Sequence, residues 1–120
     1  MIKLYLNTRD ELMVIDLAEV IYFQANGNYT EFAYLSGDKH MVTFGLTRME
    51  DFIKQAWKLP TPSPFARLGR SLIVNTLYLR EISLLRQTIT LGDCKGGVHR
   101  HKVSKALLKK FKDLIVGSTS

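Results

Sequence analysis

The sequence predicts a mainly β domain with two short helices and antiparallel sheets, and three observations carry that expectation. From Ile2 to Thr43, short runs of β-branched and aromatic residues are broken by Asn7-Thr8-Arg9-Asp10, Asn26-Gly27-Asn28 and Ser36-Gly37-Asp38. Such runs fit a pleated surface and such breaks reverse the chain. Leu46 to Trp57, and the stretch after Ser104, switch instead to a helical period. No strand-helix-strand alternation appears, so neighbouring strands are joined by tight turns and run antiparallel.

In the first helical segment Leu46, Met49, Phe52, Ile53, Ala56 and Trp57 share one face, which reads as core packing. Thr47 and Glu50 have capping-box spacing, and Lys58 and Pro60 supply stop signals. Pro60-Thr61-Pro62-Ser63-Pro64 holds all three prolines. Fixed φ and missing N–H groups oppose both helix and central strand there, so it reads as a rigid loop delivering the chain to Arg67 to Ser71. Leu79 to Leu85 and Thr88 to Leu91 read as strands joined by a turn near Arg86-Gln87. Gly92 to Gly97 makes another reversal, and Val98 to His101 is the last strand. Ser104 is a good N-cap, with Val103 and Leu108 at hydrophobic-staple spacing. Leu107, Leu108, Phe111, Leu114 and Ile115 then fall on one face, and Lys105, Lys109, Lys110 and Lys112 on the other. Gly117 is placed to end the helix. The domain is expected to cover residues 1–116, with 117–120 a frayed tail.

A chain of 120 residues with 46% hydrophobic and 10% aromatic residues is long enough for one domain with a genuine core. Lys and Arg number 17 against 11 Asp and Glu, giving a net charge of +6. That balance favours a polyanionic partner by long-range attraction and decides nothing about fold. No apolar run approaches the roughly 18 residues of a membrane-spanning helix, and Met1-Ile2-Lys3-Leu4-Tyr5 lacks the apolar core of a signal peptide. A cytoplasmic location is expected. The single cysteine, Cys94, excludes a disulfide within the chain and suits a reducing compartment.

Phe65 to Asn75 places two arginines and a serine on the rim of an otherwise apolar strand run. Arg67 and Arg70 carry permanent planar charge matched to phosphate and to the guanine edge, while Leu72, Ile73 and Val74 hold the turn. Neither predicted helix carries Asn, Gln or Arg in a base-reading pattern. The C-terminal one offers lysines, mobile point charges suited to phosphate. Side chains whose paired atoms match base edges sit in turns instead: Asn26, Asn28, Arg70, and Arg100 beside His101. Each has a bland reading as well. Asn26-Gly27-Asn28 is a common turn sequence, and the arginines have surface carboxylates such as Glu81 or Asp93 to pair with, an arrangement worth about 0–1 kcal/mol. The lysines by default make a solvated face. Cys94, His99 and His101, with His40, have no standard zinc spacing, and a strand puts His99 and His101 on one face with only one sulfur near. Nothing near Cys94 identifies an orienting carboxylate or an oxyanion pocket. No metal, no cofactor and no catalysis are expected.

Phe65-Ala66-Arg67-Leu68-Gly69-Arg70-Ser71-Leu72-Ile73-Val74-Asn75 resembles the signature of the LytTR-type DNA-binding domain of bacterial transcription regulators: Phe-x-Arg, a basic-Arg-Ser element, an apolar pair and Val-Asn. Glu19 to Thr30, an apolar run entering Gly-Asn-Tyr-Thr, is similar to that family's first signature. Val98-His99-Arg100, before a basic helix, sits where the family carries Val-Ser-Arg. The three stand in order over residues 2–115. The resemblance implies an elongated fold of antiparallel β-sheets of the LytTR type that inserts loops into successive major grooves and bends the duplex. Carried over by position, it implies base contacts at Asn28, Tyr29, Arg70 and Arg100. Backbone anchors follow at Arg67, Ser71, His101, Lys102 and Lys105, the last at a helix start whose free N–H groups also favour phosphate. Two departures stand out: Gly69 replaces a common His, and His99 replaces Ser. The binding mode is expected to survive them and the preferred base sequence to differ.

The leading expectation is therefore a sequence-specific binder of double-stranded DNA that regulates transcription, with no membrane partner and with pairing of two copies on tandem half-sites. The alternatives are a protein-interaction module using exposed strands, and a single-stranded nucleic-acid binder stacking bases on Tyr22, Phe32 and Tyr34. Members of that family commonly append this domain to a phosphorylation-receiving domain, yet these residues offer no acidic phosphoacceptor pocket, so either a stand-alone regulator or a fragment is expected, with a start at Met1 slightly favouring the former.

Overall fold

The run Val20-Ile21-Tyr22-Phe23 is apolar on both faces of a strand, and the fold uses both. In the computed structural model, which describes residues 2–119, it opens β3 (Val20–Asn26), the middle strand of a five-stranded antiparallel sheet. The other strands are β4 (Tyr29–Tyr34), β5 (Lys39–Val42), β6 (Phe65–Leu68) and β7 (Leu72–Asn75), in the order β5-β4-β3-β7-β6. A strand buried on both faces reads as continuous hydrophobicity instead of alternation.

One face carries Phe23, Phe32, Val42 and Ile73. It packs against the hairpin of β1 (Lys3–Asn7) and β2 (Leu12–Asp16), through Leu4, Leu6 and Ile15, and against α1 (Leu46–Ala56), through Leu46, Met49 and Ile53. The other face carries Tyr22, Ala33, Leu72 and Val74. It packs against a three-stranded sheet of β8 (Leu79–Ser83), β9 (Thr88–Gly92) and β10 (Val98–Lys102), and against α2 (Lys105–Thr119). Val20 joins the core of Phe23, while Ile21 and Tyr22 both join the opposite one. Pairing with β4 slips between Val20 and Tyr22 at that point, and an irregularity of this kind is what lets two successive residues face the same way. The layered body measures 45 × 32 × 28 Å. None of the helices among the described residues is long and apolar enough to cross a membrane.

The structure departs from local expectations in three places. The Thr47/Glu50 capping box does not form: α1 begins one residue after Gly45, which makes no side-chain cap bond, so Thr47 and Glu50 lie inside the first turns and face Arg67. The strand expected to reach Leu85 ends at Ser83, whose Oγ accepts from the Arg86 amide at 3.1 Å, and Gln87 closes the turn at φ 54°. Gly117 does not end α2, which runs on to Thr119; Ser120, the last residue of the expected frayed end, lies outside the described residues. The expected cap at Ser104 is present, its Oγ accepting from the Leu107 amide at 3.4 Å, and Val103 and Leu108 are buried in the same core.

Asn75, the last residue of the Phe65 to Asn75 segment, is fully buried. Its Nδ2 donates to the Val20 carbonyl at 2.9 Å and its Oδ1 accepts from the Leu77 amide at 3.0 Å, tying β7 to β3 and capping the single 3-10 turn Thr76–Tyr78. Asn75→Ala leaves the Val20 carbonyl without that donor, whereas Leu77 is exposed and its amide is open to water. The expected loss is about 1–3 kcal/mol, read from urea denaturation.

Candidate nucleic-acid interface

Two hairpin turns stand side by side at one end of the five-stranded sheet. Asn26 pairs with Tyr29, so β3 and β4 are joined by the two residues Gly27 and Asn28. Gly27 sits at φ +61°, the positive value that a tight hairpin turn assigns to glycine. Asn28 and Tyr29 are exposed beyond it. Leu68 pairs with Leu72, leaving Gly69, Arg70 and Ser71 as the second turn. There Gly69 has φ +67°, and a Cβ would come within 2.9 Å of Leu107 in α2. This accounts for glycine where the resemblance leads one to expect a larger side chain. The Ala25 amide donates to the Ser71 carbonyl at 2.8 Å. With a strand spacing of ~4.8 Å and a rise of ~3.3 Å per residue, the two tips lie on the order of 10 Å apart.

Arg67 faces inward and builds the second turn. Its Nε donates to the Gly69 carbonyl at 2.8 Å, its Nη2 to the Arg70 carbonyl at 3.2 Å and to Thr47 Oγ1 at 3.5 Å, and its Nη1 to Glu50 Oε1 at 3.1 Å. The ion pair is largely shielded, with 22% and 26% of the two side chains exposed. The guanidinium expected to meet phosphate is thus spent on the protein itself, where it fixes the backbone on both sides of Arg70.

The third locus is β10. Along it Val98, Arg100 and Lys102 are exposed while His99 and His101 turn inward, the period-2 alternation of a strand. The preceding loop is organised by Asp93. Its Oδ1 accepts from the amides of Lys95 at 2.8 Å and Gly97 at 2.7 Å, and its Oδ2 lies 3.2 Å from His99 Nε2. The Lys95 amide above all, then the Gly97 amide and His99, hold the Asp93 carboxylate below the usual range, against a burial contribution that raises it. His101, expected to anchor phosphate, instead lays its ring edge-on to Tyr22 at 4.3 Å between centroids. Through His101 and Tyr22, the strand that carries Arg100 is seated on β3, the strand that leads into the first turn.

The bland reading of the arginines is decided by who holds the carboxylates. Glu81 pairs with Arg86 at 2.8 Å, Asp93 with His99, and Glu50 with Arg67. The guanidinium of Arg48 lies over the Phe44 and Phe52 rings at 5.3 and 5.5 Å. Arg70 and Arg100 are exposed, and among the described residues neither side chain has a hydrogen bond or ion pair; the same holds for Asn28, Lys102 and Lys105. Sequence reasoning missed two positioning groups, Asp93 and Tyr22. The signal for Asp93 was its place among the glycines of the Gly92 to Gly97 reversal, where a carboxylate collects backbone N–H groups.

His101 also makes stability depend on pH. Burial first, then the positive charges of His99 and Lys39, partly opposed by Glu31, push its imidazole down to about 4. The unfolded chain, near 6.5, therefore binds the proton more readily, and stability declines as pH falls from about 6.5 toward 4. Because the ring is only partly buried, the expected loss between pH 7 and pH 4.5 is about 1–2 kcal/mol in urea titrations. The Asp93 contribution has the same sign at lower pH: it persists through that window and is lost only below it, as the carboxylate takes up a proton.

Comparison with known proteins now bears on this geometry. No curated protein sequence matches the chain. Among solved structures, it is similar to one described as the LytTr DNA-binding domain of a methyl-accepting/DNA response regulator from Bacillus cereus. The TM-score is 0.62 at 22% identity over 96% of this chain and 97% of that one, a likeness of fold. The sequence profile of the LytTr DNA-binding domain matches residues 10–116, which takes in both hairpin turns, β10 and the helix behind it. The chain belongs to the LytTR family of DNA-binding domains.

Proposed function

We propose that this domain regulates transcription by reading double-stranded DNA sequence-specifically through loops placed in the major groove, without a catalytic step or a cofactor. The observation that carries the reading is the division of the arginines. Arg48, Arg67 and Arg86, with carboxylate or aromatic partners, build the protein; among the exposed arginines with no such partner, Arg70 lies in the β6–β7 turn and Arg100 on β10, inside the segments that resemble the family signatures, whereas Arg9 and Arg80 lie outside them. Guanidinium presents the donor fork that matches guanine O6 and N7, and Asn28 presents the donor-acceptor pair that matches adenine. Lys102 lines an open groove with Arg86, Thr88 and Ser104, and Lys105 opens α2 just beyond it, a setting suited to backbone phosphate, with the Ser71 hydroxyl a further anchor. In this reading Arg67 and His101 act on DNA only through the residues they position. Of Tyr22, Phe32 and Tyr34, the stacking platforms of a single-strand binder, the first two are buried in the two cores and Tyr34 is half-buried with its ring edge-on to Phe32, which favours duplex over single strand. We also place the protein in the cytoplasm, with two copies on tandem half-sites.

The test is selection from a random duplex library, followed by anisotropy titration of the enriched duplex at several salt concentrations. A recurring sequence, a steep fall of affinity with salt, and weak competition by the single strands are the expected results. Equal binding to all duplexes, or preference for single strands, overturns the reading.

A further inference from the structure

β10, the strand that presents Arg100, is an edge strand bonded to β9 alone. What seats it over the central sheet is a stack of rings. His101 meets Tyr22 at 4.3 Å and His99 meets it at 5.7 Å, and Tyr22 belongs to β3, the strand that leads to the Asn28 turn and is bonded to the Arg70 hairpin. The rings on either side of Arg100 therefore rest on the strand that leads into the Asn28 turn and pairs with the hairpin of Arg70.

Polar groups face this stack from every element around it. From β3, the Tyr22 hydroxyl donates to Glu31 Oε1 on β4 at 3.3 Å; Lys39 Nζ of β5 stands 3.8 Å from the same oxygen. His99 is paired with Asp93 of the loop before β10. His101 Nε2 itself is buried and has no hydrogen-bond partner. A proton added there meets no acceptor in place, two neighbouring basic groups oppose it, and Glu31, already shared by Tyr22 and Lys39, is the one carboxylate that favours it. Moving away from Tyr22 lets the ring satisfy that proton more readily. The remainder of this core, built on Ile89, Leu91, Leu108 and Phe111, keeps β8, β9 and α2 in place without it.

We propose that His101 is a positioning residue for DNA reading: its neutral ring against Tyr22 sets the distance from Arg100 to the Asn28 and Arg70 turns, and protonation unseats β10 and weakens binding. This inference rests on the proposed reading of DNA by those three loci.

The experiment measures affinity for the selected duplex at pH 7.5 and pH 5.0 with the wild type, His101→Phe and His101→Ala. Wild type is expected to bind about tenfold more weakly at pH 5.0, because the unseated state takes up the proton more readily. His101→Phe keeps the aromatic contact without a titrating nitrogen, and is expected to bind within about threefold of wild type at pH 7.5 and to keep that affinity at pH 5.0. His101→Ala is expected to bind more weakly at both. His99 and His40 remain in the Phe variant, so an acid loss that persists in it, a wild type indifferent to pH, or an Ala variant that binds like wild type overturns the inference. Absence of any sequence preference in the wild type at pH 7.5 overturns the underlying reading instead. Amide NMR of the wild type from pH 7.5 to 5.0 gives an answer even where a variant fails to fold. Residues 22–24 and 98–102 are expected to shift together, and stationary signals there reject the unseating of β10.

Discussion

Arg70→Ala and Arg100→Ala combined are expected to lower affinity for the preferred duplex by about 2–6 kcal/mol, each single change contributing about 1–3. Near-additivity follows from their placement, since one lies in the β6–β7 turn and the other on the edge strand of a different sheet, with no shared partner. Neither side chain has an internal bond to lose, so the unfolding midpoint is expected to stay within about 0.5 kcal/mol of wild type. Each single variant is expected to relax preference at its own base position, and Lys102→Ala to weaken binding evenly across sequences. Anisotropy titrations against the selected duplex and its single-base variants distinguish the two patterns. Affinity and preference unchanged in both arginine variants remove them from the interface. Arg67→Ala provides the contrast: with four bonds to the turn and to α1 lost, it is expected to cost stability as well as binding.

Phe32→Ala is expected to destabilise the domain by about 3–5 kcal/mol. Phe32 is fully buried in the second strand of the five, with Phe23 at 5.6 Å, Tyr34 at 5.4 Å and the His40 ring stacked at 5.5 Å. Its core also joins the β1–β2 hairpin and α1 to the sheet, so the missing ring leaves a cavity where three elements meet. Against a total stability of roughly 5–15 kcal/mol this is a large share. For a chain of this size it corresponds to a fall in Tm of about 10–20 °C by calorimetry. A drop of less than a few degrees contradicts the central placement of this ring. The turns proposed to read DNA lie at the end of the sheet, away from the cavity, so the variant is expected to bind DNA normally at temperatures where it stays folded.

Much of the architecture was legible in local chemistry. The Gly27 and Gly69 turns, the cap at Ser104 and the alternation along Val98 to Lys102 all depend on interactions within a few residues, and such interactions leave a pattern in the chain. The LytTR resemblance brought Asn28, Arg70 and Arg100 into one hypothesis, and hydrogen bonding between β3 and β7 brings the first two side by side. Partners that lie far along the chain left no such pattern. Arg67 reads like Arg70 in sequence, yet one is held by Glu50 and Thr47 across the core and the other is free. His101 reads like Arg100's companion, yet strand alternation and Tyr22 turn it inward. The Thr47/Glu50 spacing is that of a cap, and a guanidinium 20 and 17 residues away took both side chains.

By itself, then, the sequence determined the family, the β-rich class and the two helices, and proposed a short list of side chains for reading DNA, because turn chemistry, periodicity and spaced signatures are properties of neighbouring residues. Only the tertiary structure decided which members of that list are available. A charge or a ring is free for DNA when no carboxylate or aromatic from a distant part of the chain has claimed it, and that competition takes place in three dimensions.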